Sequence, residues 1–230
     1  MLIAVADLRM ASPRVGLVEL HGPHATPLVE PSDGELEESV LHALLDATEQ
    51  VHARIREIAG YVICSGSVEG SIEETLVLRG LALANRRPLV EVSALRAMAL
   101  EASKRAPIGS TLVALGRQDG ELAAGIFRAD VTGGLKPLGR ERVWSVPAFL
   151  EQGGSLSHAV GFGPGYAAHR RALEPVLPQL VGFDAEPGLA ALVQAARNQL
   201  GHGEASSASL FPAMSHVALP DQAASVTEWR

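Results

Sequence analysis

Apolar and polar residues alternate in short blocks through the first half of the chain, and these blocks predict strands and helices in a mixed order. Two apolar runs, residues 2–6 and 14–20, flank a polar turn and predict a β-hairpin. From Asp33 to Ile58 the apolar residues recur at helical spacing, which predicts one long helix. The other predictions for this half are strands at 25–29, 61–64 and 88–92, and helices at 71–85 and 93–104.

The second half of the chain repeats this theme. Its first two apolar runs, 111–115 and 121–127, flank a Gly-containing turn at 116–120. The other predictions for this half are strands at 135–144 and 159–162, and helices at 146–152, 166–174 and 187–200. The two halves share an order of elements without a sequence repeat of fixed period, so the repetition is architectural.

The pattern as a whole predicts an α/β fold of two tandem subdomains, each a mixed sheet flanked by helices. The segment 106–109, Ala-Pro-Ile-Gly, is the best boundary, because Pro and Gly interrupt regular structure. We therefore predict an N-terminal subdomain at 1–106 and a smaller C-terminal subdomain at 107–202. A linker and tail follow at 203–230.

Two of the predicted helices have wide apolar faces. The helix at 33–58 carries two adjacent stripes, formed by Leu36, Val40 and Leu44 and by Leu41, Leu45 and Thr48. The helix at 71–85 starts with Ser71 and Glu74 at the spacing of a capping box, and it is apolar nearly all round. We expect this second helix to be mostly buried. A wide apolar face can also pack on the core with one side and offer the other to a partner protein.

Composition places the chain among ordinary globular proteins and limits its partners. It has 230 residues, of which 47% are apolar and 20% charged, and its formal net charge is −7. That charge argues against independent binding to a nucleic-acid backbone, which requires clustered Lys and Arg. The pair Arg86-Arg87 is too short to reverse this conclusion, and the favoured interpretation of the pair is a solvated helix end.

Cysteine, histidine and hydropathy exclude several classes of site. The only cysteine is Cys64, so neither a disulfide framework nor a Cys-based zinc site is possible. No two of the eight histidines have His-x-x-x-His spacing, and we predict no metal site. The first ten residues lack the basic start of a signal peptide, and no apolar run approaches the roughly 18 residues of a membrane helix. We expect a cytoplasmic protein.

Four segments of the chain resemble one known family. An apolar strand ends at Asp7, and a loop with Gly66, Ser67 and Gly70 precedes a helix that contains Arg-Gly-Leu-Ala-Leu-Ala. Residues 87–95 read RPLVEVSAL, and residues 115–121 read LGRQDGE. In this order and spacing the segments resemble the TsaB family, also called YeaZ. Its members are non-catalytic partners in bacterial threonylcarbamoyladenosine synthesis on tRNA.

The resemblance implies an actin-like ATPase superfold, with two tandem RNase H-like subdomains that would hold a nucleotide between them. Several positions depart from the family pattern. Leu8 and Arg9 replace Thr and Ser, Gly116 replaces an Asp, and Ile72 replaces an Arg. Glu69, Glu73 and Glu74 would also repel a phosphate at the glycine loop. The resemblance therefore implies only a vestigial cleft, formed by Asp7, Arg9, Gly66, Ser67, Gly70 and Gly116, with no cofactor, no metal and no catalytic residue.

The same resemblance implies how the chain would work. It would be a non-catalytic scaffold for a TsaD-like enzyme, with a TsaE-like ATPase as a further partner. It would contact tRNA only through the complex, would form a homodimer in isolation, and would not bind a membrane. The implied interface lies on the two wide-faced helices, at Leu36, Val40, Leu41, Leu44, Leu45, Thr48, Ile72 and Leu76.

Two other functions stay open at this point. One is a small actin-fold enzyme, either an ATP-dependent phosphotransferase or a peptidase-like relative. The other is a homodimeric, degenerate paralogue outside the tRNA pathway. Binding of Mg-ATP would favour the first, and normal tRNA modification in a deletion strain would favour the second.

Overall fold

The computed structural model describes residues 1–9, 14–29, 40–64, 71–118, 120–129, 134–153 and 159–201. These residues form two compact units. The first comprises residues 1–92 and the described chain from Leu192 onward, and the second comprises residues 93–191. The helix after residue 92 thus belongs to the second unit, whereas the sequence predicts a boundary after residue 106. The reason is packing, because Leu95, Met98 and Leu100 lie in a core formed by the second sheet.

The first unit contains a five-stranded mixed sheet in the order β3-β2-β1-β4-β5. The first three strands are antiparallel, and β4 and β5 run parallel to β1. The predicted hairpin and third strand are confirmed, and both faces of β1 are buried, as its unbroken apolar run requires. The strands are β1 Leu2–Asp7, β2 Arg14–His21, β3 His24–Val29, β4 Ile58–Cys64 and β5 Leu89–Glu91.

The helices of the first unit correct one prediction. The long helix predicted to reach Ile58 ends earlier: α1 spans Val40–Gln50, and a 3-10 turn follows at Ile55–Glu57. His52 adopts a left-handed φ of 54°, and the Ala53 amide donates to the Thr48 carbonyl at 2.9 Å, which closes the helix. The helical spacing extends past this end because Val51 and Ile55 still pack on the core.

The second helix of this unit, α2, spans Ser71–Ala84, and its prediction is confirmed. The carboxylate of Glu74 makes a hydrogen bond to the first residue of the neighbouring helix. Its Oε2 accepts from the Val40 amide of α1 at 3.1 Å. The Ser71 side chain, the other half of the predicted capping box, lies outside the described part of the chain. Glu74 therefore joins the start of α1 to α2.

The second unit repeats the strand order of the first. Its sheet runs β10-β6-β7-β8, with β9 also paired to β7, and β10 is parallel to β6. A parallel bridge from Gly161 to Gln179 occupies the position next to β10 that β5 has next to β4. The predicted architectural repeat is confirmed. The strands are β6 Thr111–Gln118, β7 Glu121–Ala129, β8 Leu135–Pro137, β9 Arg142–Trp144 and β10 Ala159–Phe162.

Two predictions in this unit, one of a turn and one of a strand, were too coarse. Gly116 and Arg117, predicted as turn residues, lie inside β6 and pair with Ala123 and Leu122 of β7. The single strand predicted at 135–144 is two strands, β8 and β9, which pair with different parts of β7. In both cases backbone pairing with β7 decides the boundary, and the local turn residues do not.

The helices of the second unit cover both faces of its sheet. α3 packs on one face with Phe127 and Phe162, and α4, α5 and α6 pack on the other through Phe149, Tyr166 and Leu173. Ser93 caps α3 as predicted, because its Oγ accepts from the Arg96 amide at 3.3 Å. Among the described helices, none has the length and apolar character to cross a membrane. The helices are α3 Ala94–Ser103, α4 Val146–Gly153, α5 Pro164–Ala168, α6 Arg170–Leu173 and α7 Leu189–Gly201, the last continuing into the first unit from Leu192.

We predict opposite effects for two Gly→Ala substitutions. At Gly165 the added Cβ would lie 2.5 Å from the Gly116 carbonyl oxygen, a backbone atom that cannot move aside, so Gly165→Ala should destabilise by roughly 2 kcal/mol. At Gly80, in the middle of α2, nothing lies within 4 Å, so Gly80→Ala should stabilise by about 0.5–1 kcal/mol. Denaturant unfolding of both variants measures this, and a neutral Gly165→Ala would contradict the close backbone packing.

Candidate functional site

The carboxyl end of the first sheet carries a buried acid. Asp7 is the last residue of β1, it is fully buried, and it lies beside Cys64 at the end of the parallel strand β4. The amide of Leu8 donates to the Cys64 carbonyl at 2.8 Å, so the two strand ends are held together. Cys64 is also fully buried, as is typical of a free cysteine that packs as a small core residue.

Two arginines neutralise Asp7. The Arg9 guanidinium donates from Nε to Oδ1 at 2.8 Å and from Nη2 to Oδ2 at 2.7 Å, in a bidentate fork. Arg14, the first residue of β2, donates from Nη2 to the same Oδ2. The antiparallel register places Arg14 opposite Asp7, so the ion pair joins the two strand ends of the hairpin.

The pKa of Asp7 reflects two opposing effects, burial of the carboxylate and its ion pairs with the two arginines. Burial alone would raise this pKa, but the hydrogen bonds and charges of Arg9 and Arg14 outweigh burial and hold the pKa of Asp7 below its usual range. A general base must be able to take up a proton near the working pH. Asp7 is therefore suited to a structural ion-pair cluster and poorly suited to proton transfer.

Arg14 is the partner that the sequence analysis missed. It lies seven residues from Asp7, beyond a turn, and the resemblance directs attention to Leu8 and Arg9. A signal was available in the hairpin prediction, because counting outward from the turn pairs Asp7 with Arg14. The other members of the predicted cleft on this unit, Gly66, Ser67 and Gly70, lie outside the described residues.

The first strand of the second sheet has no acid at the predicted cleft position, Gly116, and packing explains why. Gly116, where the sequence resemblance predicts an Asp, is buried in β6. A Cβ there would lie 3.3 Å from Cδ2 of Leu95 and 3.6 Å from Cβ of Ala123. A carboxylate at this position would lie against the apolar side chains of Leu95 and Ala123. Burying its charge there would be strongly unfavourable. Gly116 therefore has a packing role, and its carbonyl oxygen is the backbone atom that Gly165 approaches closely.

The burial of the two wide-faced helices differs from the prediction in opposite directions. On α1, Val40, Leu44 and Thr48 lie in the core, so these three are wrong as interface residues, while Leu41 is partly buried and Leu45 is exposed. Leu36 and the Ile72 side chain lie outside the described part of the chain. On α2 the prediction of a mostly buried helix is wrong, because Leu76 is 58% and Leu83 is 57% exposed.

The exposed residues of α2 form one continuous apolar face. Leu76, Gly80 and Leu83 follow one another at spacings of four and three residues, and Val77 and Ala84 lie beside them at the same periodicity. We call these five residues the α2 stripe. An ion pair between Arg79 of α2 and Glu91 at the end of β5 links the helix to the sheet. The opposite side of α2 holds Leu78 and Ala82 in the core.

The described residues contain no group of three His, Cys, Asp or Glu side chains that could hold a metal ion. No protein-family model matches the sequence, and no curated protein matches it. Solved structures do match. One is YeaZ from Pseudomonas aeruginosa, with a TM-score of 0.64 and 19% identity, covering 96% of this chain and 100% of that one. The chain has the fold of YeaZ.

A second match supports the same conclusion about the fold. It is an uncharacterized protein from Pseudomonas aeruginosa with similarity to the peptidase YeaZ, with a TM-score of 0.61 and 20% identity. It covers 95% of this chain and 97% of that one. The predicted architecture of two mixed sheets flanked by helices is therefore confirmed. In this YeaZ fold, the ion-pair cluster of Asp7, Arg9 and Arg14, which we call the Asp7 cluster, lies at the carboxyl edge of the first sheet. The α2 stripe lies on a helix of the same unit.

We predict that Asp7→Asn lowers the stability of this YeaZ fold by about 2 kcal/mol at neutral pH, since two arginines lose their buried counter-ion while still reaching solvent. Because the pKa of Asp7 is lowered, its contribution is complete above the unfolded-state pKa and is lost as the pH falls through the folded-state pKa, below about pH 4. Urea unfolding from neutral to acid pH measures both effects. A variant with the same acid dependence as the wild type would contradict this role.

Proposed function

We propose that this protein is a non-catalytic partner subunit of a TsaD-like enzyme in threonylcarbamoyladenosine modification of tRNA. The observation that carries the proposal is the α2 stripe, an exposed apolar helix face on a chain with the fold of YeaZ. The sequence resemblance to the TsaB family supplies the identity of the partner.

The α2 stripe has the form of a helix-packing surface. Single exposed apolar residues are common, but a continuous apolar face is a mark of an interaction site. Gly80 lies in the middle of the stripe with nothing within 4 Å of the position of a Cβ, so a partner helix could approach closely there.

The Asp7 cluster supports a division of labour with the partner. Both oxygens of this carboxylate accept from guanidinium groups, and its lowered pKa makes it a poor base. The chemistry would then belong to the TsaD-like subunit. A TsaE-like ATPase would join through the same complex, and in isolation two copies of the α2 stripe would pair as a symmetric homodimer.

Mixing the chain with the TsaD-like protein of the same organism tests the proposal. We predict a complex at micromolar concentration in size-exclusion chromatography. The substitutions Leu76→Asp and Leu83→Asp should each weaken it at least about tenfold, because a charge would be buried against an apolar partner.

The matched controls lie in the second unit. Ile108 and Val181 are 76% and 75% exposed, so Ile108→Asp and Val181→Asp change surface hydropathy equally without touching the stripe. Both controls should bind as the wild type does. If no complex forms, or if the controls weaken it as much as the stripe variants, the proposal is wrong. A stable homodimer without a complex would then favour the degenerate paralogue.

Thermal unfolding with Mg-ATP separates the proposal from an ATP-dependent phosphotransferase. We predict an unchanged Tm, because the Asp7 carboxylate is already committed to Arg9 and Arg14. A nucleotide at about one hundred times its Kd would stabilise the folded state by roughly 2.7 kcal/mol, a clear upward shift. Such a shift would favour the enzyme over the scaffold.

A further inference from the structure

Four arginines meet at the amino edge of the first sheet, the edge opposite Asp7. Arg54 and Arg56 precede β4, and Arg86 and Arg87 precede β5. Because β4 and β5 are parallel neighbours, the segments that enter them lie side by side. The structure shows this contact directly, since Nη2 of Arg87 donates to the Arg56 carbonyl at 3.3 Å. We call these four residues the arginine edge.

The positive charge of the arginine edge is not balanced by ion pairs. All four arginines are exposed, and among the described residues none of their guanidinium groups pairs with a carboxylate. Glu57 lies in the same turn, but its Oε2 accepts from the Arg54 backbone amide at 2.9 Å. The chain as a whole carries a net charge of −7, so this edge differs in sign from the molecule around it.

The backbone at this edge is also unusual. His52 and Arg86, with φ of 54° and 51°, are the two residues other than glycine with positive φ in the described chain. Each follows a helix end, where glycine would adopt this conformation without strain, and a larger side chain costs about 1 kcal/mol. Both positions instead carry side chains that can be cationic.

Helix capping explains only part of the cluster. A cation in the last turn of a helix is stabilised by the helix dipole by roughly 0.3–1 kcal/mol, and Arg86 directly follows α2. That effect fades beyond the last turn. Arg54 and Arg56 lie past the end of α1 and lead into a strand, so the dipole does not account for them.

We infer that the arginine edge is a contact surface for the phosphate backbone of RNA. The planar guanidinium is always charged and pairs with phosphate in bidentate geometry. The choice of RNA rests on the proposed function, in which the substrate of the complex is a tRNA. An anionic membrane surface would attract the same charges, so the test below includes it as an alternative outcome.

This inference changes one expectation from the sequence, that tRNA is contacted only through the partner. The chain itself would touch the RNA, and its net negative charge would keep that contact weak and dependent on salt. The arginine edge would thus add to the affinity of a complex whose main RNA contacts lie elsewhere.

Fluorescence anisotropy with a labelled tRNA transcript and the isolated chain tests the inference at low salt, about 0.05 M. The double variants Arg86→Ala/Arg87→Ala and Arg54→Ala/Arg56→Ala should each weaken binding by about tenfold. Each should also lower the slope of log K against log salt by about 1.5, as expected for two lost phosphate contacts. Unchanged thermal unfolding of both variants would show that they are folded.

The chain offers a matched control in Arg170→Ala/Arg171→Ala, a second exposed pair of adjacent arginines, located on α6 of the second unit. This control should bind RNA as the wild type does. Three outcomes would overturn the inference: no binding of the transcript by the wild type, equal loss in the control, or binding of anionic vesicles instead of RNA.

The result is separable from the partner proposal. Complex formation with the TsaD-like protein is measured without RNA and depends on the α2 stripe, whereas RNA binding is measured without the enzyme and depends on the arginine edge. Loss of the first with retention of the second would remove the proposed partner and leave the RNA contact in place.

Discussion

The parallel pairing of β1 with β4 is the constraint on which the first unit depends. An antiparallel hairpin keeps its strand ends close together, but a strand parallel to the first can be reached only after a crossover. The crossover here contains α1, and a second one, containing α2, leads to β5. The sheet therefore has two chemically distinct edges. The carboxyl ends bring Asp7 beside Cys64, and the amino ends bring two separate pairs of arginines together.

The carboxyl edge shows how a buried charge is accommodated. Removing a carboxylate from water is unfavourable by several kcal/mol, and close pairing can offset this when the remaining lone pairs are also used. Asp7 meets both conditions, with two guanidinium groups on its two oxygens. The same arrangement that makes this acid stable in the fold leaves it unsuited to accept a proton. The stability of this ion-pair cluster and the low basicity of Asp7 thus have one physical cause.

The second unit has the same strand order as the first, but different residues pack along its first strand. The first sheet has an acid at the end of its first strand, whereas the first strand of the second sheet has Gly116 near its end, where a Cβ would contact Leu95 and Ala123. The turn after β10 approaches this strand so closely that a side chain at Gly165 would collide with a backbone oxygen. An architectural repeat therefore does not imply a chemical repeat, because each copy packs its strand ends with different residues.

The sequence by itself determined the order of the elements, the hairpin in each sheet, the cap at Ser93 and the family that the chain resembles. These are local signals: apolar periodicity, turn residues and short motifs at fixed spacing. It also identified Asp7 and Arg9 as neighbours near a strand end. Only the tertiary structure decided that Arg14 completes their ion pair, because strand register brings distant residues together. Likewise, only tertiary packing separated the core residues Val40 and Leu44 from the exposed Leu76, since an apolar helix face looks alike whether it is buried or not. The arginine edge is the clearest case: Arg86-Arg87 is a short and uninformative pair in the sequence, and parallel strand pairing sets it beside Arg54 and Arg56.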